Sequence, residues 1–190
     1  MRIGIFGGSF NPIHNGHVIL GETMLHEMKL DEVWYMVSPH NPLKQAADLL
    51  DENERLHLVE LALEGHEGLK ACNFEFQLKR PSYTWDTLQA LHLQYPQHEF
   101  SLIIGGDNWD VFDKWAHHEE ILQKYKIAVF PREGSDIDEA LLPENVRLIH
   151  VPLVNVTSTQ LRQMLRESKS ITDYVPYMVE EEIKQRKLYR

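Results

Sequence analysis

The chain has 190 residues, 43% hydrophobic and 25% charged, the balance of an ordinary globular protein, which excludes a disordered, collagenous or coiled-coil chain. Lys and Arg number 19 against 29 Asp and Glu, a formal charge of −10 with histidine neutral, so a broad basic face for nucleic acid is excluded. Cys72 is the sole cysteine, which excludes an intrachain disulfide and a cysteine-based zinc site, and no stretch reaches the ~18 apolar residues of a membrane span. The N-terminal MRIGIFGGSFNP lacks the apolar core of a signal peptide, and a reducing, cytoplasmic setting is the expectation.

Residues 2–7 (RIGIFG) predict a short buried strand closed by glycines. Asn15 predicts a cap for a helix over 16–29, with Val18, Leu20, Met24, Leu25 and Met28 on its apolar face. Residues 32–37 (EVWYMV) predict a second strand and 38–50 a loop with two prolines and a lone lysine. A helix is expected over 51–63, with Asp51 and Glu54 at capping-box spacing, then a third strand over 70–77. A helix over 83–95 is stopped by Pro96, and a strand over 99–104 runs into Gly105-Gly106-Asp107. A short helical region with Trp109 and Trp115 follows, then strands at 127–130 and 147–151 and two closing helices at 157–166 and 176–187. This alternation predicts the α/β class, a doubly wound parallel sheet in one domain over residues 1–190. In such sheets ligands bind beyond the carboxyl ends of the strands.

The turn after the first strand carries Gly7-Gly8-Ser9-Phe10 and then His14-Asn15-Gly16-His17. Its glycines lack the G-x-G-x-x-G spacing, and the second strand runs into Ser38-Pro39 instead of ending on an acidic residue, which disfavours a nicotinamide-dependent dehydrogenase. The Walker lysine motif is absent as well. Two histidines three apart share a face at a helix start, whose free N–H groups and dipole attract anions. Glycine beside them admits close backbone approach, and together these parts make a compact polyphosphate cradle. A nearby phosphate favours the charged form of each histidine. Taken singly, either histidine reads as an ordinary surface residue, and no third ligand suggests zinc. Near the C-terminus, Thr157 and Gln160 have capping-box spacing, and Arg162 lies one turn on, within reach of a bound phosphate.

Gly7-Gly8-Ser9-Phe10 with His14-Asn15-Gly16-His17 resembles the signature of the nucleotidyltransferase α/β-phosphodiesterase superfamily. Val156-Thr157-Ser158-Thr159-Gln160-Leu161-Arg162 resembles its second motif, with Thr157 where serine is more usual. The resemblance implies a Rossmann-like doubly wound fold with closing C-terminal helices. The implied activity joins a nucleoside triphosphate to a phosphate-bearing acceptor and releases pyrophosphate. His14, His17 and Arg162 are then the catalytic residues. They bind ATP together with Gly7, Gly8, Ser9, Phe10 and Ser158, and with Gly105 and Asp107 of Ile103-Ile104-Gly105-Gly106-Asp107, which resembles the family's I-I-G-x-D.

Two further segments narrow the resemblance to nicotinate-mononucleotide adenylyltransferases. Pro81-Ser82-Tyr83-Thr84-Trp85-Asp86-Thr87-Leu88 resembles their S-Y-T-x-D-T-L, with Arg80 replacing the glycine before the proline. Lys114-Trp115 resembles the K-W whose indole stacks on the pyridine, and Lys44 their loop lysine. Lys44, Thr84 and Trp115 are thereby implied to bind the pyridine nucleotide. The substrates implied are ATP and nicotinate mononucleotide, the products deamido-NAD and pyrophosphate, and Mg²⁺ rides on ATP, with no dedicated carboxylate cluster visible for it. A homo-oligomer stays open, as do a related transferase using nicotinamide mononucleotide, pantetheine phosphate or glycerol phosphate and a nucleotide-binding regulator without turnover.

Overall fold

The computed structural model describes residues 1–39, 49–135, 137–152 and 154–190. Six parallel strands form one sheet in the order β3-β2-β1-β4-β5-β6. They are β1 (Arg2–Gly8), β2 (Glu32–Val37), β3 (Leu69–Cys72), β4 (Glu99–Gly105), β5 (Lys126–Phe130) and β6 (Val146–Leu148). The helices are α1 (Asn15–Glu27), α2 (Glu52–Leu63), α3 (Thr84–Gln94), the short α4 (Gly106–Trp109), α5 (His118–Lys124), α6 (Ser158–Arg166) and α7 (Tyr177–Arg186). This is the predicted doubly wound architecture.

β1 explains the layering. Its Ile3 and Ile5 point to one face, where Leu88 and Leu91 of α3 and Ile121 of α5 bury them. Phe6 points to the other face, among Val18 and Met24 of α1, Leu58 of α2, Leu161 of α6 and Val179 and Ile183 of α7. The two closing helices therefore share the core of the first strand. β1 pairs with β2 on one side (Ile3↔Glu32 to Gly8↔Val37) and β4 on the other (Arg2↔Glu99 to Phe6↔Ile103). The chain winds outward in both directions from the β1–β4 pair, which is the switch point where such sheets open a crevice. Among the described residues no helix is long and apolar enough to cross a membrane.

Three local expectations change. The third strand ends at Cys72, and Phe74–Gln77 forms a 3₁₀ turn instead of a strand. The reason is visible in its phenylalanines: Phe74 packs on the cluster around Ile5 and Phe76 on the opposite cluster around Phe6, whereas residues two apart in a strand share a face. β6 is shorter than predicted, and α1 begins one residue earlier, with His14 as its N-cap.

α2 supplies the strut of the carboxyl edge. Its Arg55 is fully buried, and its guanidinium donates to backbone carbonyls. Nε donates to Leu50 O (2.8 Å), Nη1 to Ser9 O (2.7 Å) and Ser38 O (2.9 Å), and Nη2 to Pro39 O (3.4 Å). One side chain thereby fixes the end of β1, the end of β2 and the start of α2. In Arg55→Ala those carbonyls lose their donors inside the protein. Urea unfolding is expected to show a loss of about 3 kcal/mol; a loss below about 1 kcal/mol contradicts the strut.

Candidate active site

The turn from β1 to α1 is held through its backbone. Ser9 O accepts from Arg55, Asn11 O from Arg162 Nη1 (2.8 Å), and Pro12 O from the Ser158 hydroxyl (2.9 Å). Asn11 Oδ1 accepts from Leu50 N (3.2 Å). Within the turn Phe10 has φ +44°, a left-handed conformation that a bulky residue adopts only when its surroundings impose it. Its ring is 2% exposed and packs edge-on against Phe6 (5.3 Å between centroids) and His17 (5.2 Å). A role for Phe10 in nucleotide binding is thus confined to its backbone, while its ring backs His17. A Cβ on Gly8 would lie 2.9 Å from the Phe10 ring, so glycine is required there.

The His14 and His17 rings lie 3.7 Å apart between centroids, tilted by 33°. His17 Nδ1 accepts from the His14 backbone N–H (3.2 Å), which places the proton of neutral His17 on Nε2. His14 is 4% exposed, and its Nδ1 is buried without a hydrogen-bond partner among the described residues. Burial first, and then the Arg132 charge, pull its pKa down to about 4. A phosphate is expected to raise both histidines, whereas burial and Arg132 hold His14 below the usual histidine range.

α6 approaches from the other side. Thr157 is its N-cap, accepting from Gln160 N (3.2 Å), while Gln160 Oε1 accepts from Thr157 N (2.8 Å), so the predicted capping box is present. Arg162 Nη2 donates to Thr159 Oγ1 (3.3 Å), and its Nε is buried without a hydrogen-bond partner among the described residues.

Beyond the carboxyl edge lies a cavity of about 340 Å³. It brings together Gly7, Gly8, Thr84, Gly105 and Trp115 of the predicted residues, with Lys114 beside them. Thr84 is the first residue of α3, and Trp115 rests on Phe112 (5.5 Å) with its indole half-buried. His14, His17, Ser158, Arg162, Ser9, Phe10 and Asp107 are not among the lining residues. Ser9 and Phe10 are buried behind it, and Asp107 is exposed on α4, 3.9 Å from Arg132 Nε. Lys44 lies outside the described residues.

Two lining residues escaped sequence reasoning. Arg132 stands two positions past β5, its guanidinium 5.0 Å from the Phe130 ring centroid. It belongs to the cavity and also acts on His14, so it links the cavity to the histidine turn. The rule that ligands gather after strands pointed to this position, after Pro131. Glu75 sits in the 3₁₀ turn, 9% exposed, and accepts from Thr87 Oγ1 (2.8 Å). Its burial follows from a turn where a strand was expected.

A family model described as cytidylyltransferase-like matches residues 5–164. A protein of Bacteroides fragilis named a probable nicotinate-nucleotide adenylyltransferase is 49% identical over 170 residues, covering 90% of this chain and 85% of that one. A Cytophaga hutchinsonii protein of the same name is 47% identical over 189 residues, covering 100% and 98%. The fold matches Plasmodium falciparum nicotinic acid mononucleotide adenylyltransferase complexed with NaAD, with a TM-score of 0.82 at 20% identity over 99% of this chain and 97% of that chain. A histidine turn and a cavity at the switch point of a parallel sheet thus coincide with sequence kinship over nearly the whole chain, which belongs to the cytidylyltransferase-like family and, within it, to the nicotinate-nucleotide adenylyltransferases.

Proposed function

We propose that this chain, acting as one nucleotidyltransferase domain over residues 1–190, transfers the adenylyl group of ATP to nicotinate mononucleotide, giving deamido-NAD and pyrophosphate. The observation that carries the reading is the pairing, across Arg132, of the His14–His17 turn with a cavity walled by Thr84 and Trp115. One side is chemically suited to phosphate, and the other to a flat aromatic ring.

A phosphate oxygen of the mononucleotide attacks the α-phosphorus of ATP in line. The new O–P bond forms as the bond from the α-phosphorus to the bridging oxygen breaks, and pyrophosphate leaves with that electron pair. The attacking oxygen is already anionic, so no general base is needed; the protein positions the groups and stabilises charge on the departing oxygens. His17 Nε2, His14, Arg162 and Arg132 are the donors for that charge, with the backbone N–H groups at the starts of α1 and α6. Gly7, Gly8 and Gly105 let the nucleotide approach the backbone, Ser9 and the Phe10 backbone shape that surface, and Ser158 and Asp107 stand at its margins. Trp115 supplies a plate for the pyridine ring, and N–H groups beside Thr84 receive its carboxylate. Lys44 serves the same nucleotide. Mg²⁺ is part of the MgATP substrate; among the described residues no three or more His, Cys, Asp or Glu side chains are grouped to hold a metal.

Pyrophosphate release with ATP and a panel of acceptors tests the reading. Nicotinate mononucleotide is expected to support turnover, pantetheine phosphate and glycerol phosphate to support none, and pyrophosphate with either of those alone overturns the acceptor assignment. His17→Ala and Arg162→Ala are each expected to lower kcat by on the order of 10²-fold; turnover near wild type in both removes them from the reaction. Trp115→Ala is expected to raise KM for the pyridine nucleotide about tenfold while leaving KM for ATP near its starting value. Equal effects on both would show that the indole does not serve the pyridine subsite.

A further inference from the structure

Glu75 is a buried carboxyl in the wall of the cavity, and the reaction as derived makes no use of it. Three elements meet there. Thr87, one turn into α3, donates its hydroxyl to Glu75 Oε1 (2.8 Å) and also lies 3.3 Å from Tyr83 O at the helix cap. The hydroxyls of Ser38, just past β2, and of Ser82 both favour the charged form of the same carboxyl. Hydroxyl donors, and no cation, are what favour its charged form, and burial outweighs them, holding the carboxyl above the usual glutamate range.

The other ionisable groups leave it so. Arg55 of α2 lies behind Ser38 with its donors on backbone carbonyls. The Cys72 thiol at the end of β3 is pushed up by burial, first of all, and remains neutral. Asp86 and Tyr83 at the start of α3 are exposed, and Lys114 and Arg132 line the same cavity without pairing with Glu75. An acid-bearing pyridine adds a second carboxylate beside Thr84, a turn away from the Thr87 that Glu75 holds. Two nearby carboxylates in a half-closed space disfavour each other's ionisation.

We propose that Glu75 is a positioning residue that sets the Ser82–Thr87 entrance of α3 and takes up a proton from solvent when an acid-bearing pyridine nucleotide enters the cavity, so that preference for the acid over the amide depends on pH. It rests on the adenylyltransferase reading and adds a determinant of substrate choice. A neutral Glu75 tolerates the substrate carboxylate and a charged one repels it. The acid therefore binds best below the Glu75 titration and weakens as pH rises through it. The amide carries no charge at that position and is indifferent.

Calorimetric binding of nicotinate mononucleotide and of nicotinamide mononucleotide, without ATP, tests this from about pH 5 to about pH 9. Both ligands carry the same phosphate, so its titration and that of the histidines cancel in the ratio of the two affinities. In the wild type the acid-to-amide ratio is expected to fall about tenfold across the range, tenfold being the equivalent of a one-unit change in one carboxyl's pKa. Acid binding is expected to take up a proton, read as a heat that depends on the buffer's ionisation enthalpy, and in Glu75→Gln the ratio is expected to be flat. A flat ratio with no proton uptake in the wild type overturns the proposal without any variant, and an undiminished slope in Glu75→Gln overturns it as well. If neither nucleotide binds at any pH, the adenylyltransferase reading fails and this proposal fails with it.

Discussion

The turn between the first strand and the first helix exists in its form because side chains from distant helices hold its carbonyls. Arg55 of α2 takes Ser9, Arg162 of α6 takes Asn11, and Ser158 of α6 takes Pro12. A turn that follows a central strand and enters a helix carries backbone groups that water reaches poorly, and each needs a partner. Here the partners come from the second and the sixth helix, so the turn forms only when both halves of the fold have closed on it. The left-handed Phe10 and the close pairing of the two histidines follow from that closure. The same Arg162 that holds the turn is also a donor for substrate phosphate in the proposed reaction. The arginine is therefore pre-placed by the backbone it supports.

Electrostatically the site runs against the chain. A protein with a net charge of −10 gathers two histidines, Arg132 and Arg162 around one turn, and burial, followed by the Arg132 charge, holds His14 below the usual histidine range. The acidic balance thus excludes extended polyanions but leaves room for small ones that fit a local cradle. The opposite wall of the cavity is milder: a half-buried indole, a helix start and a carboxyl served by hydroxyls.

Much of this was legible in the sequence, because the informative residues lie next to strands. The alternation of elements and the capping box of Thr157 and Gln160 emerged where the pattern set them, and Gly7, Gly8, Gly105, Thr84 and Trp115, singled out from four separate motifs, line one cavity. What was not legible depends on contacts distant in sequence. Arg55 reads as one more charged residue on an amphipathic helix; only packing against residues 9, 38 and 39 turns it into a buried strut. Glu75 stood in an alternating stretch that suits a strand, and the split of Phe74 and Phe76 to opposite faces made a turn of it. Arg132 carries no motif, and its significance arises from standing across from His14. Phe10 illustrates the converse, a motif residue whose ring proved to be core.

The central claim is that the histidine turn stabilises charge and does not attack phosphorus. Its most direct test is the configuration of the product formed from ATP made chiral at the α-phosphorus by a sulfur substitution, with nicotinate mononucleotide as acceptor. A single in-line displacement predicts inversion at that phosphorus in the dinucleotide. Retention would mean that a side chain, His14 or His17 foremost, first takes the adenylyl group covalently, and it would contradict the account.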